Sequence, residues 1–489
     1  MIFTKNILFK KNLYRVLFIL FIGSFIWSCK RAQPSENNQN KNPNVIYIIA
    51  DDLGYADLSS YGQEKYKTPH IDQLAKEGLL FTQHYAGSTV CAPSRSSLLT
   101  GQHTGYTPIR GNFEIKSGQM PLPDSSYTLA ELFKDNNYKT GIFGKWGLGG
   151  IETEGNPLKQ GFDEFFGYIN QRLAHHYYPD YLWDNEAKVS LEKNQGLNKG
   201  QYAPDLIHQK ALAFIDKNKE EPFFLFYPSI IPHAELFAPE EYMNQFIGKY
   251  PEPKPFKGTD EGEKYKKGNY GSQKHPRAAY AAMVTLLDDQ VGELVQKVKN
   301  LGIEENTIFI FTSDNGPHLE GGNDAAFFNS NGQFRGHKRD LFEGGIRVPM
   351  IVKWPKQIPP NSRTNHASAF WDVLPTFADI LNDEKELTTN GISFLSTLIN
   401  QPNKQKQHDY FYWEFHENNS KQAILKDNWK LVITQLDKEP KYFLFNLEND
   451  IAEKINLASK YPEKVTELKE LMNQSRIPSQ QFKFNKNEL

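Results

Sequence analysis

Only two cysteines occur in 489 residues, Cys29 and Cys91, and they lie in unlike surroundings. A disulfide framework is therefore excluded as a source of stability, and Cys91 has no obvious partner. An excess of charge of one sign is also missing: 56 basic side chains against 58 acidic ones leave a formal net charge of −2. Nucleic acid is thereby excluded as the main partner, because phosphate binding needs a basic surface. Beyond the first 29 residues no run is long and apolar enough to span a bilayer. No internal repeat is visible, which removes repeat architectures from consideration.

What is present is the composition of a folded globular protein, 39% hydrophobic, 13% aromatic and 23% charged. The length exceeds one small core and suggests a large α/β domain with a smaller one beside it. At the start, Lys5, Lys10, Lys11 and Arg15 precede an apolar stretch from Val16 to Trp27, and Ser28-Cys29 closes it. That arrangement reads as a signal peptide over residues 1–29 and resembles a bacterial lipoprotein cleavage site. The expectation is an exported chain, in the periplasm or at the outer membrane, lipid-anchored through Cys29. Residues 30–43 are polar and read as a flexible tether.

From residue 44 the chain alternates between apolar runs of strand type and helical spacing. Val45 to Ala50, Leu80 to Tyr85, Tyr138 to Phe143, Phe223 to Tyr227 and Thr307 to Thr312 read as strands. His70 to Gly78, Pro204 to Lys217 and Arg277 to Lys299 read as helices. The alternation predicts a large, mostly parallel sheet with helices on both faces, in which ligands bind beyond the carboxyl ends of the strands. Five of these runs lead into chemically loaded residues: Asp51-Asp52, Cys91, Lys145, His233 and Asp314-Asn315. The stretch between Gly150 and Tyr202 reads as aromatic loop around a site mouth, and Lys254 to Lys274 as an exposed loop. After a polar passage the strand-like runs Tyr410 to Phe415, Gln422 to Leu425, Lys430 to Thr434 and Tyr442 to Asn446 precede a helix from Tyr461 to Met472. A catalytic domain over 44–395 and a small antiparallel sheet with a helix over 396–489 are expected.

Cys91 opens the run CAPSRSSLLTG, just before an expected helix, where backbone N–H groups and the helix dipole favour anions. That position suits a nucleophile or an anion site; a small buried thiol is the plain alternative. Asp51, Asp52, Asp314 and Asn315 are hard oxygen donors without histidine or thiolate company, a set that selects Ca²⁺, with Mg²⁺ second, over zinc. A capped helix or a solvated turn would explain Asp51-Asp52 alone, but not the further Ser-Asp-Asn-Gly at 313–316. Arg95, Lys145 and Lys338 supply the positive charge that a sulfate or phosphate ester calls for. His233 suits a general acid, or else a loop histidine with one structural hydrogen bond.

The segment Cys91, Pro93, Ser94, Arg95 with Leu99, Thr100 and Gly101 resembles the signature of the type I, formylglycine-dependent sulfatases, of arylsulfatase-like bacterial carbohydrate type. Gly144-Lys145-Trp146, the histidine of IPHAE, the SDNG run and the segment from Arg335 to Pro349 resemble that family's later landmarks. The resemblance implies an alkaline-phosphatase-like α/β fold and a calcium ion held by Asp51, Asp52, Asp314, Asn315 and the oxygen of residue 91. It implies conversion of Cys91 to 3-oxoalanine (formylglycine) by a maturation enzyme. One hydroxyl of its hydrate attacks sulfur with Asp314 as base, and the second releases sulfate. Arg95, Lys145 and Lys338 are then clamps, and His233, with Lys338, protonates the leaving alkoxide.

The implied substrate is a sulfated sugar from a polysaccharide or glycosaminoglycan. One landmark departs: the histidine that many relatives carry after Gly-Lys-Trp is Gly147 here. His175 is the preferred replacement, with His176, His103 and His318 as further candidates for contact with the substrate. A phosphate or phosphonate monoester hydrolase on the same site, and a glycan-binding protein without turnover, are the rival readings.

Overall fold

The computed structural model describes residues 42–484 apart from 116, 117 and 418. The expected signal peptide, Cys29 and the tether up to residue 41 lie outside the described residues. Pro43–Leu489 forms one compact unit.

Thirteen strands follow in chain order through the main domain, and a fourteenth opens the C-terminal sheet. They are β1 (Asn44–Ala50), β2 (Leu79–Tyr85), the small hairpin β3 (Glu114–Ile115) and β4 (Gly118–Gln119), β5 (Lys139–Lys145), β6 (Glu164–Tyr168), β7 (Tyr181–Asp184), β8 (Ala187–Ser190), β9 (Phe223–Pro228), β10 (Thr307–Ser313), β11 (Arg347–Lys353), β12 (Ser362–Thr364), β13 (Ser368–Ala369) and then β14 (Phe411–Phe415), which begins the C-terminal sheet. An 11-stranded sheet runs in the order β12-β2-β11-β10-β1-β9-β5-β6-β7-β8, with β13 also on β2. Its centre, β10-β1-β9-β5-β6, is parallel throughout. Strand β11 is antiparallel to both its neighbours, β10 and β2. The sheet is thus mostly parallel at its core, as the alternation implied.

Strand β1 shows why. Ile46 and Ile48 pack on one face with Ala211 and Phe214 of the Ala203–Asn218 helix and Leu287 of the Pro276–Asn300 helix. Val45, Tyr47 and Ile49 pack on the other with Leu98, Phe133 and Phe377. Alternate side chains point to opposite faces, so a strand covered on both sides must be apolar throughout.

Three expectations are corrected. The stretch between Gly150 and Tyr202, read as loop, carries β6, β7 and β8; β6 continues the parallel core, and β7 and β8 extend the sheet antiparallel. Arg347–Lys353, whose first three residues close the landmark segment and which is not among the expected strands, is a buried central strand whose Val-Pro-Met-Ile-Val run lies between β10 and β2. Residues 254–274 are not simply exposed. They hold a short helix, Gly262–Lys266, and a bridge between Phe256 and Gln273, and they lie over the two histidines at 175 and 176.

The C-terminal sheet, β14 followed by β15 (Lys421–Lys426), β16 (Trp429–Thr434) and β17 (Lys441–Asn446), is antiparallel in sequence order. Its Tyr412, Ile424, Leu431 and Leu444 meet Leu468 and Met472 of the Pro462–Gln474 helix. Its Trp413, Ala423, Val432 and Phe445 meet Tyr85, Val90, Ile346 and Trp371 of the main domain. Both faces of the small sheet are therefore covered. Among the described residues no helix is long and apolar enough to cross a membrane.

Candidate active site

Strands β1 and β10 are paired in register from Asn44 with Thr307 to Ala50 with Ser313. Asp51-Asp52 and Asp314-Asn315 consequently leave the sheet side by side. Asp52 takes a left-handed backbone, φ 64°, a conformation that Asp tolerates better than most residues. Its amide donates to Asp314 Oδ1 at 3.0 Å, and Leu53 N donates to Ser313 Oγ at 2.9 Å. Asn315 Nδ2 donates to Asp52 Oδ1 at 2.7 Å. Three hydrogen bonds thus bind the two strand ends into one cluster.

Cys91 is the first residue of the Cys91–Thr100 helix and is 2% exposed. Its Sγ donates to Asp51 Oδ1 at 3.3 Å. One turn on, Arg95 reaches Asp314 Oδ2 through Nε at 3.2 Å and Nη2 at 2.9 Å, and gives Nη1 to the Lys145 carbonyl at 2.8 Å. Lys145, the last residue of β5, places Nζ 2.7 Å from Asp51 Oδ2. Lys338 places Nζ 2.7 Å from Asp52 Oδ2 and 3.2 Å from His233 Nε2. The ends of β1, β5, β9 and β10 and one helix start therefore converge, as ligand sites of such sheets do. The proton acceptor in contact with Cys91 is Asp51; both Asp314 oxygens are turned to Arg95 and the Asp52 amide.

Three buried carboxylates, Asp51, Asp52 and Asp314, face three buried cations, Arg95, Lys145 and Lys338. Burial pushes Asp51 up, but Lys145, His233 and Arg95 outweigh it and hold the carboxyl well below the usual range. Asp52 is likewise held down against burial by Lys338 and His233. Asp314 goes the other way, to about 7, because burial and the neighbouring Asp51 charge prevail over Arg95. Burial, then Asp51, raises the Cys91 thiol well above its ordinary value. Burial and Lys338 lower His233 to about 4, so its ring is neutral at pH 7. With Nδ1 against the Ala234 carbonyl, its Nε2 lone pair accepts from the Lys338 ammonium.

The donor set suits a hard divalent ion. Asn315 Oδ1 is buried and has no partner although its amide nitrogen is engaged. A buried oxygen left so is costly unless something outside the chain meets it. Ligand atoms of Asp51, Asp52, Cys91 and His233 all lie within 4.8 Å of one another. Adding two positive charges to a balanced cluster leaves a positive one, and a positive cluster binds an anionic ester.

Above Cys91 opens a cavity of about 440 Å³, within the size range of small-ligand sites. His175, His233, Tyr270 and Lys338 line it together with Gln171. The His175 ring stacks on His233 at 5.1 Å between centroids and has Nδ1 2.7 Å from the Gly268 carbonyl, which leaves Nε2 as the acceptor nitrogen. Burial, then the neighbouring His233 ring, lowers its pKa well below the ordinary value.

The other histidines are not brought to the cavity. His176 has Nε2 2.9 Å from the Tyr265 carbonyl and Nδ1 3.6 Å from Glu235. His318 is fully buried behind His233, with Nε2 on the Pro232 carbonyl at 3.0 Å. His103 is a correction. It lies only twelve positions after Cys91, but Gly101, at φ 67°, ends the helix and turns the chain away. Its ring packs on Tyr412 and Trp371 at 5.3 and 5.7 Å, in the seam with the C-terminal sheet.

Sequence reasoning missed Gln171, Tyr270, and the pair Glu320 and Arg339 that stands beside Lys338. None sits in a local motif. The only signal was the aromatic, paired-histidine passage around Gln171.

The sulfatase family model matches residues 43–383, and the model described as N-sulphoglucosamine sulphohydrolase, C-terminal, matches residues 332–478. The chain is 30% identical to the N-acetylgalactosamine-6-O-sulfatase of Bacteroides thetaiotaomicron, over 94% of this chain and 99% of that one. It is 32% identical to the N-acetylgalactosamine-6-sulfatase of Homo sapiens, over 73% of this chain and 66% of that one. The crystal structure of Ps i-CgsB, also determined in complex with k-i-k-neocarrahexaose, matches with a TM-score of 0.74 at 29% identity, covering 91% of this chain and 94% of that one. The fold is the alkaline-phosphatase-like α/β architecture, and with matches that extend from the strand-end carboxylates through the C-terminal sheet, the chain belongs to the sulfatase family of sulfuric ester hydrolases.

Proposed function

We propose that this sulfatase removes sulfate from a sulfated sugar of a polysaccharide or glycosaminoglycan, through a formylglycine generated from Cys91 and with Ca²⁺ as its resident metal. The observation that carries the reading is the placement of Cys91 at the floor of the cavity, with Lys145 and Lys338 each 2.7 Å from the carboxylates beside it. The sugar substrate is supported by the similarity to N-acetylgalactosamine-6-sulfatases and to a protein determined in complex with neocarrahexaose.

Asp51, Asp52, Asp314 and Asn315 are the residues that would hold the ion, which supplies charge stabilisation to an oxyanion. Formylglycine supplies, as its hydrate, one hydroxyl for attack and another for release. Cys91 Sγ stands where the oxygen of that side chain belongs, and Asp51 Oδ1 accepts from it. Lys145 Nζ and Lys338 Nζ present ammonium hydrogens to the sulfuryl oxygens. Because His233 is neutral and accepts from Lys338, the acidic hydrogen available to a leaving alkoxide is that of the Lys338–His233 pair. His175, with Nε2 free of its proton, is placed as a base at the cavity wall. Export, a maturation enzyme as partner and a lipid anchor at Cys29 belong to the same proposal and rest on the leader sequence and the CAPSR run.

The test is turnover of an aryl sulfate against the matching aryl phosphate, then of defined sulfated mono- and oligosaccharides, before and after chelation. The reading expects sulfate esters to be preferred, activity to fall on chelation and calcium to restore it. Preference for the phosphate ester, or full activity in the chelated protein, would overturn it.

A further inference from the structure

Gln171 follows β6 by three positions and is 8% exposed. Its Nε2 is buried without any hydrogen-bond partner, although the residue lines the cavity that has Cys91 at its floor. The segment that carries it is held in place: Gln171 N meets Gln119 Oε1 at 3.4 Å, and Gln119 Nε2 donates to the Phe113 carbonyl at 3.0 Å. The room for it comes from Gly147. That residue has φ 78°, and a Cβ there would stand 2.3 Å from Gln171 Nε2. Gly147 is two residues beyond Lys145, so the carboxamide lies on the Lys145 side of Cys91, while His233 and Lys338 occupy the Asp52 side. The space of the side chain absent at 147 is thus filled from the turn that follows β6.

An amide donor buried without an acceptor is costly, and a protein keeps one where a ligand provides the acceptor. A sulfuryl group is acceptor-only and offers three terminal oxygens, more than two lysines cover. We propose that Gln171 Nε2 donates to a terminal oxygen of the sulfuryl group held over residue 91. It acts as a neutral third clamp beside Lys145 and Lys338, in the space that a histidine at 147 would have entered. A carboxamide does this without adding charge and without changing protonation with pH.

The proposal rests on the sulfatase reading, so its test is arranged to separate the two. Gln171→Leu removes the donor at similar volume; Gln171→Glu keeps the shape and sets a carboxylate against the sulfuryl oxygens. Each is compared with the unaltered protein at equal formylglycine content, measured by mass spectrometry, and at equal thermal midpoint. An aryl sulfate is the substrate because it has no sugar hydroxyls, and inorganic sulfate is the competing ligand. The expected result is kcat lower by about 10²-fold and a sulfate inhibition constant weaker by about tenfold in the leucine variant, with larger losses in the glutamate variant. Values within about twofold of the parent for both variants overturn the proposal, as does a loss confined to sugar substrates, which would assign Gln171 to a sugar hydroxyl. If the parent hydrolyses no sulfate ester, the sulfatase reading fails by itself. Binding of inorganic sulfate to the three proteins by calorimetry then still decides for or against Gln171.

Discussion

Two buried ionic clusters, one around Glu414 and one around Asp51 and Asp52, are built to different ends. Around Glu414, on β14, every acceptor position is taken from within the chain. Oε1 receives Arg110 Nη1 and His416 Nε2, each at 2.9 Å; Oε2 receives Tyr412 Oη at 2.7 Å and Arg476 Nε at 2.8 Å. The cluster around Asp51 and Asp52 is equally buried, yet it leaves Asn315 Oδ1 and Gln171 Nε2 unmet and opens onto a cavity. A buried charge is tolerated only when paired and hydrogen-bonded. In the first cluster the Glu414 carboxylate is fully paired from within the chain, although His416 Nδ1 is left without a partner, and the cluster joins the main domain to the C-terminal sheet. The second also pairs its charges within the chain, but its two unmet carboxamide atoms and its open cavity leave room for a ligand.

The contrast breaks most sharply at Cys91. Cys91→Ser keeps the open cluster's shape but removes the thiol that oxidation to the aldehyde displaces. Aryl sulfate turnover should fall by about 10³-fold or more with an unchanged circular dichroism spectrum, and parent-like turnover in that variant refutes the reading. Glu414→Gln should do the reverse. It leaves Arg110 buried without its counter-charge, so denaturant melts should show a loss of about 3–5 kcal/mol, while kcat of the folded fraction stays at the parent value. Acid should open the closed cluster next. Burial pushes Glu414 up, but His416, Arg110 and Arg476 overcome it and hold the carboxyl at about 2, against 4.5 when unfolded. Its stabilisation is complete above about 4.5 and is lost as pH falls toward 2, a loss on the order of 3 kcal/mol. The Glu414→Gln protein should lack that component of the acid transition. The smallest effects compare two histidines. His175→Ala should lower kcat by about 10²-fold, whereas His103→Gln should leave kcat alone and lower the thermal midpoint slightly.

The open cluster was largely legible in the sequence because each part is contiguous. Asp-Asp after an apolar run, Ser-Asp-Asn-Gly after another, and Cys-Ala-Pro-Ser-Arg before a helix each carry their own local geometry. Parallel pairing of β1 with β10 then needed only the two strands to be neighbours. What depends on register between distant segments was not legible. Gln171 is informative only once Gly147 is placed against it, and Tyr270 only once residues 254–274 fold over His175. His103 misled for the converse reason: nearness in sequence to Cys91 says little when a left-handed glycine intervenes. Strand β11 was hidden by the Glu-Gly-Gly turn before it, whose landmark value drew attention from the apolar run that follows.

Cys91 has one more consequence, which concerns timing. In the finished fold its sulfur is at the floor of a cavity, in the first turn of a helix, and only 2% of the residue meets solvent. No second protein can close its own active site around a side chain so placed. If residue 91 is to be oxidised enzymatically, its catalyst must meet an extended Cys-Ala-Pro-Ser-Arg segment, before β1, β5 and β10 assemble around it. Folding is then the step that ends the opportunity for maturation, and a chain that folds ahead of its modifying enzyme is locked in an inactive form.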